Sequence, residues 1–396
     1  MATTTSTWSH PVATARRATI PWYLWTVALA VTSVTIGAHW DVSWHRSIGR
    51  DTFWTPAHMA IYLCGILAGI ACGYLILRST FAPTPELDAT SVRVFGFRGP
   101  LGAFIAAWGG IAMLTSAPFD NWWHNAYGLD VQIVSPPHTL LMLGIFAIEI
   151  GAALLILAQM NRDAADGAAP NPGLQWLMMY IFGLMMVLTM FFRMEYTWDV
   201  MLHRAGAYIS MAIGVPLYFA AMWKASRHRW ACTLICTFYS LALVAFILIL
   251  PLFPATPKLG PVYQAVTQFI PPKFPILLIV PAIALDLLWR KFGKVKSQSN
   301  KILLSLASGP LFVLTLVAAE WPFAAFLMSK ASQNRFFGTA YLDYGTPSFS
   351  ADALRHFVRP QHGLELWTGL LWAMLYAAIS VWLGLLLGDW MRKVQR

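Results

Sequence analysis

Two stretches of the chain carry aspartate and histidine in the same order. The first reads HWDVSWHRSIGRDTFWTPAH over 39–58, and the second reads FDNWWHNAYGLDVQIVSPPH over 119–138. The shared residues are Asp41, His45 and His58 in the first copy, and Asp120, His124 and His138 in the second. Two imidazoles and one carboxylate form a donor set that copper, iron or zinc accepts. The pattern therefore predicts a transition-metal site in each stretch.

The spacing within each copy suits a helix followed by a turn and a second helix. Aspartate and histidine four residues apart lie on one face of a helix, so both side chains can reach one ion. A glycine then permits a turn and a proline opens the next helix, which returns the second histidine to the same level. The matched turn residues are Gly49 and Gly128, and the matched prolines are Pro56 and Pro136. We predict a tandem repeat of two helical hairpins.

Further polar residues are candidates for the surroundings of these sites. Asp51 and Asp130 match one another in the repeat and suit acceptors that orient ligating histidines. A partial third copy, EYTWDVMLHR, contributes Glu195, Asp199 and His203. Glu149 follows His138 by three helical turns and would extend a proton path inward.

Three interpretations of the repeated residues stay open. They form a metal site, a hydrogen-bonded structural clamp, or part of a proton or substrate pathway. The clamp remains open because Asp, Gly and Pro also serve as caps and turns, and tryptophan and histidine suit the headgroup level of a membrane.

Composition identifies the class of protein that carries these residues. The chain has 396 residues, of which 58% are hydrophobic and 11% are charged, whereas soluble domains carry about 25% charged residues. A soluble, disordered or disulfide-stapled chain is therefore excluded. The four cysteines (Cys64, Cys72, Cys232 and Cys236) fall in apolar stretches and predict buried thiols rather than disulfides.

Apolar runs long enough to cross a bilayer predict an all-α, polytopic integral membrane bundle with about ten spans. The predicted spans are 20–38, 57–77, 99–118, 137–160, 173–192, 204–223, 230–252, 274–289, 303–328 and 364–388. We predict one membrane domain over 1–396. Its parts are a first repeat at 20–80, a second at 99–160, middle helices at 173–290, and C-terminal helices at 303–396 with a long outer loop at 329–363.

The distribution of charge predicts the orientation. Ten spans place both termini on one face, and that face holds 17 of the 27 Lys and Arg residues but 5 of the 17 acids. The basic face is expected to be cytoplasmic, in a plasma or inner membrane. The net charge of +10 is thus a topology signal rather than a sign of nucleic-acid binding. Nucleotide-binding glycine motifs are absent from the sequence, so no nucleotide is expected as a partner.

The pattern Asp-x3-His-x12-His resembles the metal-binding motif of the C subunit of the copper membrane monooxygenases, which oxidise methane or ammonia. Asp41, His45 and His58 match that spacing, whereas Asp120, His124 and His138 match it with one extra residue. The resemblance covers about twenty residues in each copy. It implies a copper site on membrane helices and does not by itself imply methane or ammonia oxidation.

These observations support three function hypotheses. The first is a copper-dependent, monooxygenase-like oxidoreductase subunit that acts on a small apolar substrate. The second is a transporter or proton-coupled carrier that uses the same outer residues. The third is a structural or assembly subunit of a membrane complex. The expected partners are the lipid bilayer and, in the third case, other membrane subunits.

Overall fold

The computed structural model describes residues 19–49, 52–128, 135–194, 199–293, 297–337, 342–347 and 359–396. Within these residues the fold is almost entirely helical, with one two-stranded hairpin made of β1 (Val92–Val94) and β2 (Phe97–Gly99). The helices are α1 (Trp22–Ser47), α2 (Pro56–Phe81), α3 (Pro85–Ala89), α4 (Leu101–Tyr127), α5 (Pro136–Ala165), α6 (Pro172–Met194), α7 (Ala205–Ser226), α8 (Ala231–Ile249), α9 (Ile279–Phe292), α10 (Gln298–Leu327) and α11 (Gly363–Met391). The predicted all-α class is confirmed.

Eight helices are long and apolar enough to cross a membrane: α2, α4, α5, α6, α7, α8, α10 and α11. Large apolar side chains lie exposed on their outer surfaces, for example Leu241, Leu303 and Leu371. Exposed apolar faces of this extent are the surface that lipid covers. The chain is therefore a multi-pass membrane protein. Ten spans and the orientation of the termini stay predictions.

The two predicted spans that lie outside this set differ from the others for physical reasons. α1 is long enough to cross but is diluted by polar residues such as Thr32, Ser33 and Thr35. The predicted span 274–289 is helical only from Ile279, and α9 has 14 residues. At about 1.5 Å per residue, α9 covers about 21 Å, less than the bilayer core of about 30 Å.

A non-helical segment at 253–278 precedes α9 and packs across the C-terminal end of α1. Pro271, Pro272 and Pro275 lack the N–H that a helix would need. The backbone of Ile270 is instead bonded to side chains of α1: Ser43 Oγ donates to its carbonyl and its N–H donates to Ser47 Oγ. Irregular backbone in a membrane protein requires such internal partners.

The first four long helices form two hairpins, α1–α2 and α4–α5, which pack on each other through α2 and α4. The remaining helices continue this bundle: α5 packs on α6, α6 on α8, α8 on α9, α9 on α10, and α10 and α7 on α11. One cluster of buried apolar residues runs through all of these helices. In each hairpin, the C-terminal end of the first helix and the N-terminal end of the second helix thus lie at one face of this single core.

Glycines bring α4 and α5 into close contact. A Cβ added at Gly102 would lie 2.5 Å from the carbonyl oxygen of Gly151, and one at Gly109 would lie 2.6 Å from that of Gly144. Small residues of this kind let helix backbones approach closely in membranes, where packing drives helix association. These contacts fix the position of α4 on α5, and hence of the polar residues near the end of α4 and the start of α5.

Candidate functional site

The first hairpin brings Asp41, His45 and His58 together. His45 Nε2 lies 3.7 Å from Asp41 Oδ2, and His58 Nε2 lies 3.3 Å from Asp41 Oδ1. Asp41 and His45 share one face of α1 because the helix continues to Ser47, and His58 enters from the first turn of α2. One carboxylate therefore stands between two imidazoles.

The second hairpin repeats this arrangement with Asp120, His124 and His138. His124 Nε2 lies 3.2 Å from Asp120 Oδ2, and His138 Nε2 lies 3.4 Å from Asp120 Oδ1. As in the first hairpin, the histidine four residues after the aspartate faces Oδ2, and the histidine from the next helix faces Oδ1. The extra residue between His124 and His138 falls within the first helix, because α4 continues three residues past His124 whereas α1 continues two past His45. The structure thus brings all six predicted ligands into two triads, one per hairpin.

The ends of the helices position these side chains as the turn residues predict. Gly49 and Gly128 both adopt positive φ, at 92° and 89°. Pro56 and Pro136 each occupy the first position of the following helix. In both hairpins the aspartate lies near the N-terminus of that helix, because the histidine it contacts there is the third helical residue.

The donor types fit a transition-metal ion in both triads. Two ligands of a tetrahedral ion with bonds of about 2.0–2.1 Å lie about 3.3 Å apart, close to the distances from aspartate oxygen to histidine nitrogen given above. The buried Oδ1 atoms of Asp41 and Asp120 also lack a hydrogen-bond partner within the described chain, although a histidine nitrogen is near each. A metal ion bound between the carboxylate and an imidazole in each triad would give each of these Oδ1 atoms a partner.

The placement of the donors is less favourable than their types. No group of three or more His, Cys, Asp or Glu side chains among the described residues is arranged so that it could hold a metal ion as it stands. In each triad the two histidines lie at different oxygens of one carboxylate. Binding an ion with all three side chains would therefore require the imidazoles to turn toward a common point.

Solvent reaches both triads. The side chains of His45 and His58 are 38% and 16% exposed, and those of His124 and His138 are 21% and 29% exposed. An ion or small substrate arriving from solvent would therefore meet a histidine of each triad before it met the buried carboxylate oxygen.

The surroundings of the two triads differ. Beside the first triad, Arg46 pairs with Asp343 at 2.5 Å and donates to the carbonyl of Pro271, so the 253–278 segment and residues 342–347 are tied to α1. Beside the second triad, aromatic rings pack on one another, with the centroids of Trp123 and Tyr127 4.5 Å apart. Trp122 and Tyr127 remain more than half exposed there.

Two further predicted residues lie away from the triads. Glu149 is fully buried in α5, and neither of its carboxylate oxygens has a hydrogen-bond partner within the described chain. It stands about 16 Å along the helix from His138. The Nε2 of His203 lies 2.9 Å from the carbonyl oxygen of Trp321, so its contact is with α10. The other predicted residues are not placed, because Asp51, Asp130, Glu195 and the side chain of Asp199 lie outside the described residues.

The structure also adds one buried acid and reassigns another. Glu320 in α10 is fully buried and accepts a hydrogen bond from the backbone N–H of Leu277, at the junction between the non-helical segment and α9. Its position within an apolar run was the available sequence signal. Asp286 stands four residues before Arg290 on α9, but it accepts from the backbone N–H groups of Cys232 and Thr233, and so caps α8.

Relatives offer no independent guide to these residues. No protein-family model, curated protein or solved structure matches this chain.

Proposed function

We propose that this membrane protein binds two transition-metal ions, copper favoured over iron or zinc, one at each Asp/His/His triad. The observation that carries the proposal is the duplicated geometry: one aspartate between two histidines in each hairpin, with corresponding oxygens facing corresponding histidines. A cap or an interfacial residue has no need of this arrangement twice. The resemblance of the motif to the copper membrane monooxygenase C subunit favours copper.

The residues of the chain would divide the work as follows. Asp41 and Asp120 would supply the negative charge and His45, His58, His124 and His138 the neutral nitrogen donors. A bound copper ion would supply one-electron redox chemistry and a position for oxygen or substrate. The aromatic rings beside the second triad, together with the lipid-facing helix surfaces, would admit a small apolar substrate. We therefore propose an oxidoreductase.

Metal analysis of the purified protein tests this function. The parent protein is expected to hold two equivalents of metal per chain after removal of loosely bound ions. His45→Ala and His124→Ala are each expected to hold one equivalent, because each removes a donor from one triad and leaves the other intact. Elemental mass spectrometry measures the stoichiometry and identifies the metal.

A matched control is His203→Ala, whose histidine contacts α10. It is expected to keep both equivalents. A parent protein without stoichiometric metal, or an equal loss in all three variants, would contradict the metal proposal.

A second candidate function is a proton-coupled carrier. Glu149 and Glu320 are fully buried, and each has at least one carboxylate oxygen without a hydrogen-bond partner in the described chain. The chain is non-helical immediately before α9, where the backbone of Leu277 contacts Glu320. Buried acids and interrupted helices mark ion pathways in transporters.

Proton flux in proteoliposomes tests the carrier. Glu149→Gln and Glu320→Gln keep the side-chain size and remove the titrating group, so each is expected to lower flux at least about tenfold if the acid relays protons. Asp286→Asn is the control, because that carboxyl is already satisfied as the cap of α8. Flux that is zero in the parent protein, or unchanged in both glutamine variants, rejects the carrier.

A further inference from the structure

A cavity opens at the opposite face from the triads, where α7, α9 and α11 end and α8 begins. Its volume is about 1080 Å³, just above the range of about 300–1,000 Å³ for small-molecule sites. Six cationic side chains line it: Lys224, Arg227, Arg229, Arg290, Lys291 and Arg392. This concentration of charge lies apart from both triads and plays no part in the proposed function.

The charge of this cavity is largely uncompensated. Asp389 is the acid in its lining, and it is already shared by two lysines: Lys224 at 3.2 Å and Lys301 at 2.6 Å. No ion pair joins Arg227, Arg229 or Arg392 to a carboxylate in the described part of the chain. Their guanidinium groups are free to bind an anion.

Like charges are held close together within the cavity. Burial and the neighbouring Arg392 guanidinium both lower the pKa of Arg227. Arg227 also occupies a left-handed conformation at the end of α7, with φ at 57°. An anion placed between the two guanidinium groups would relieve their repulsion and accept forked hydrogen bonds from both.

Apolar side chains of Trp223, Leu287 and Trp289 form part of the cavity wall. Trp223 and Trp289 pack with ring centroids 5.4 Å apart, and the guanidinium of Arg290 lies 4.4 Å above the ring of Trp230. Trp289 is itself buried. Tryptophan beside arginine at the ends of spanning helices is typical of the headgroup level of a bilayer.

We propose that this cavity binds a phosphate group, supplied by the headgroup of an anionic phospholipid or by free phosphate. A general preference of cytoplasmic loops for Lys and Arg places charges on this face but does not gather them in one concave site. Basic pockets between spanning helices bind phosphate-bearing headgroups in this way. The tryptophan wall would hold the glycerol and upper acyl region of a lipid.

Binding to the full-length protein is measured with two probes. Phosphatidylglycerol in nanodiscs, compared with phosphatidylcholine, reports headgroup binding by native mass spectrometry, and inorganic phosphate added to lipid-free detergent-purified protein reports a free anion. Whichever probe binds the parent protein, the double variant Arg227→Gln and Arg392→Gln is expected to bind that probe about 30-fold more weakly. The reason is that each basic residue contributes about a fivefold preference for anionic headgroups.

The control is Arg93→Gln with Lys393→Gln, which removes the same charge outside the cavity lining. It is expected to change binding less than twofold. Binding of phosphatidylglycerol alone assigns the site to lipid, and binding of phosphate assigns it to a free anion. Absence of binding by both probes, or equal loss in the control, overturns the proposal.

Folding is separated from binding by two additional variants. Arg229→Gln with Lys291→Gln alters the same cavity from the α7–α8 connection and from α9, and is expected to weaken binding similarly. Arg227→Lys with Arg392→Lys keeps the charge but not the forked hydrogen bonds, and is expected to bind phosphate more tightly than the glutamine variant. A charge-retaining variant that binds as weakly as the glutamine variant would overturn the electrostatic basis of the site.

Discussion

Replacing Asp41 and Asp120 together by asparagine is expected to abolish stoichiometric metal binding, with affinity falling at least about 100-fold at each triad. Asparagine has nearly the same size but no charge, and each aspartate is the residue that contacts both histidines of its triad. Loss even of an outer hydrogen-bond partner of a ligand weakens metal sites 10–100-fold. Equilibrium competition with a metal indicator measures the affinity.

The same double variant distinguishes a metal site from a structural clamp. An ion at 100 times its dissociation constant stabilises the folded state by about 2.7 kcal/mol per site. A chelator is therefore expected to lower the unfolding temperature of the parent protein and to leave that of the double variant unchanged. In a clamp, the substitution itself lowers stability and the chelator has no effect on either protein.

Asp88→Asn serves as the control, since that aspartate pairs with Arg98 beside the β-hairpin, at 2.7 Å. It is expected to retain both equivalents of metal and the full response to chelator. Retention of metal by the double aspartate variant would place the ion elsewhere in the protein and contradict the proposed ligands.

Much of the candidate site was predictable because it depends on local geometry. A helix that continues past Asp41 and Asp120 necessarily places the histidine four residues later on the same face. Gly49, Gly128 and the prolines that follow act on the chain immediately beside them, and the structure places them as predicted. The return of His58 and His138 to the aspartates follows from the shortness of each connection.

The remainder depended on contacts between distant parts of the chain. The predicted eighth span included residues 274–278 because they are apolar. The prolines before them, and the hydrogen bonds between the backbone of Ile270 and the side chains of Ser43 and Ser47, instead hold segment 253–278 in a non-helical form. The hydrogen-bond partners of Asp286 are Cys232 and Thr233 at the start of α8, 54 and 53 residues away in the sequence, rather than Arg290. Local periodicity carries no information about such partners.

Gly109→Ala is expected to destabilise the protein by about 1–3 kcal/mol, although it adds a single methyl group. The added Cβ would lie 2.6 Å from the carbonyl oxygen of Gly144 and 2.9 Å from the backbone nitrogen of Ile148. Backbone atoms cannot rotate away, so α4 and α5 must separate. Unfolding in mixed micelles with increasing denaturing detergent measures the change in stability.

The neighbouring glycine supplies a matched control that sequence could not have distinguished. A Cβ at Gly110 would meet the carbonyl oxygen of Gly65 at 3.5 Å, an ordinary contact. Gly110→Ala is therefore expected to be neutral, or to stabilise α4 by up to about 1 kcal/mol through helix propensity. Equal destabilisation by both substitutions would show that the close approach of α4 and α5 is not what Gly109 provides.

The same substitution connects helix packing to the second triad. Asp120 stands about 16 Å beyond Gly109 on α4, and His138 stands about 9 Å before Gly144 on α5, so the glycine contact sets their separation. If the helices part at Gly109, the 3.4 Å contact between Asp120 and His138 opens while the first hairpin keeps its own. Gly109→Ala is therefore expected to lose one of the two metal equivalents, the one that His124→Ala also loses. The double variant Gly109→Ala with His124→Ala would show that both substitutions act on the same triad if it loses no more metal than either single variant. The effects of two substitutions on one site are not additive.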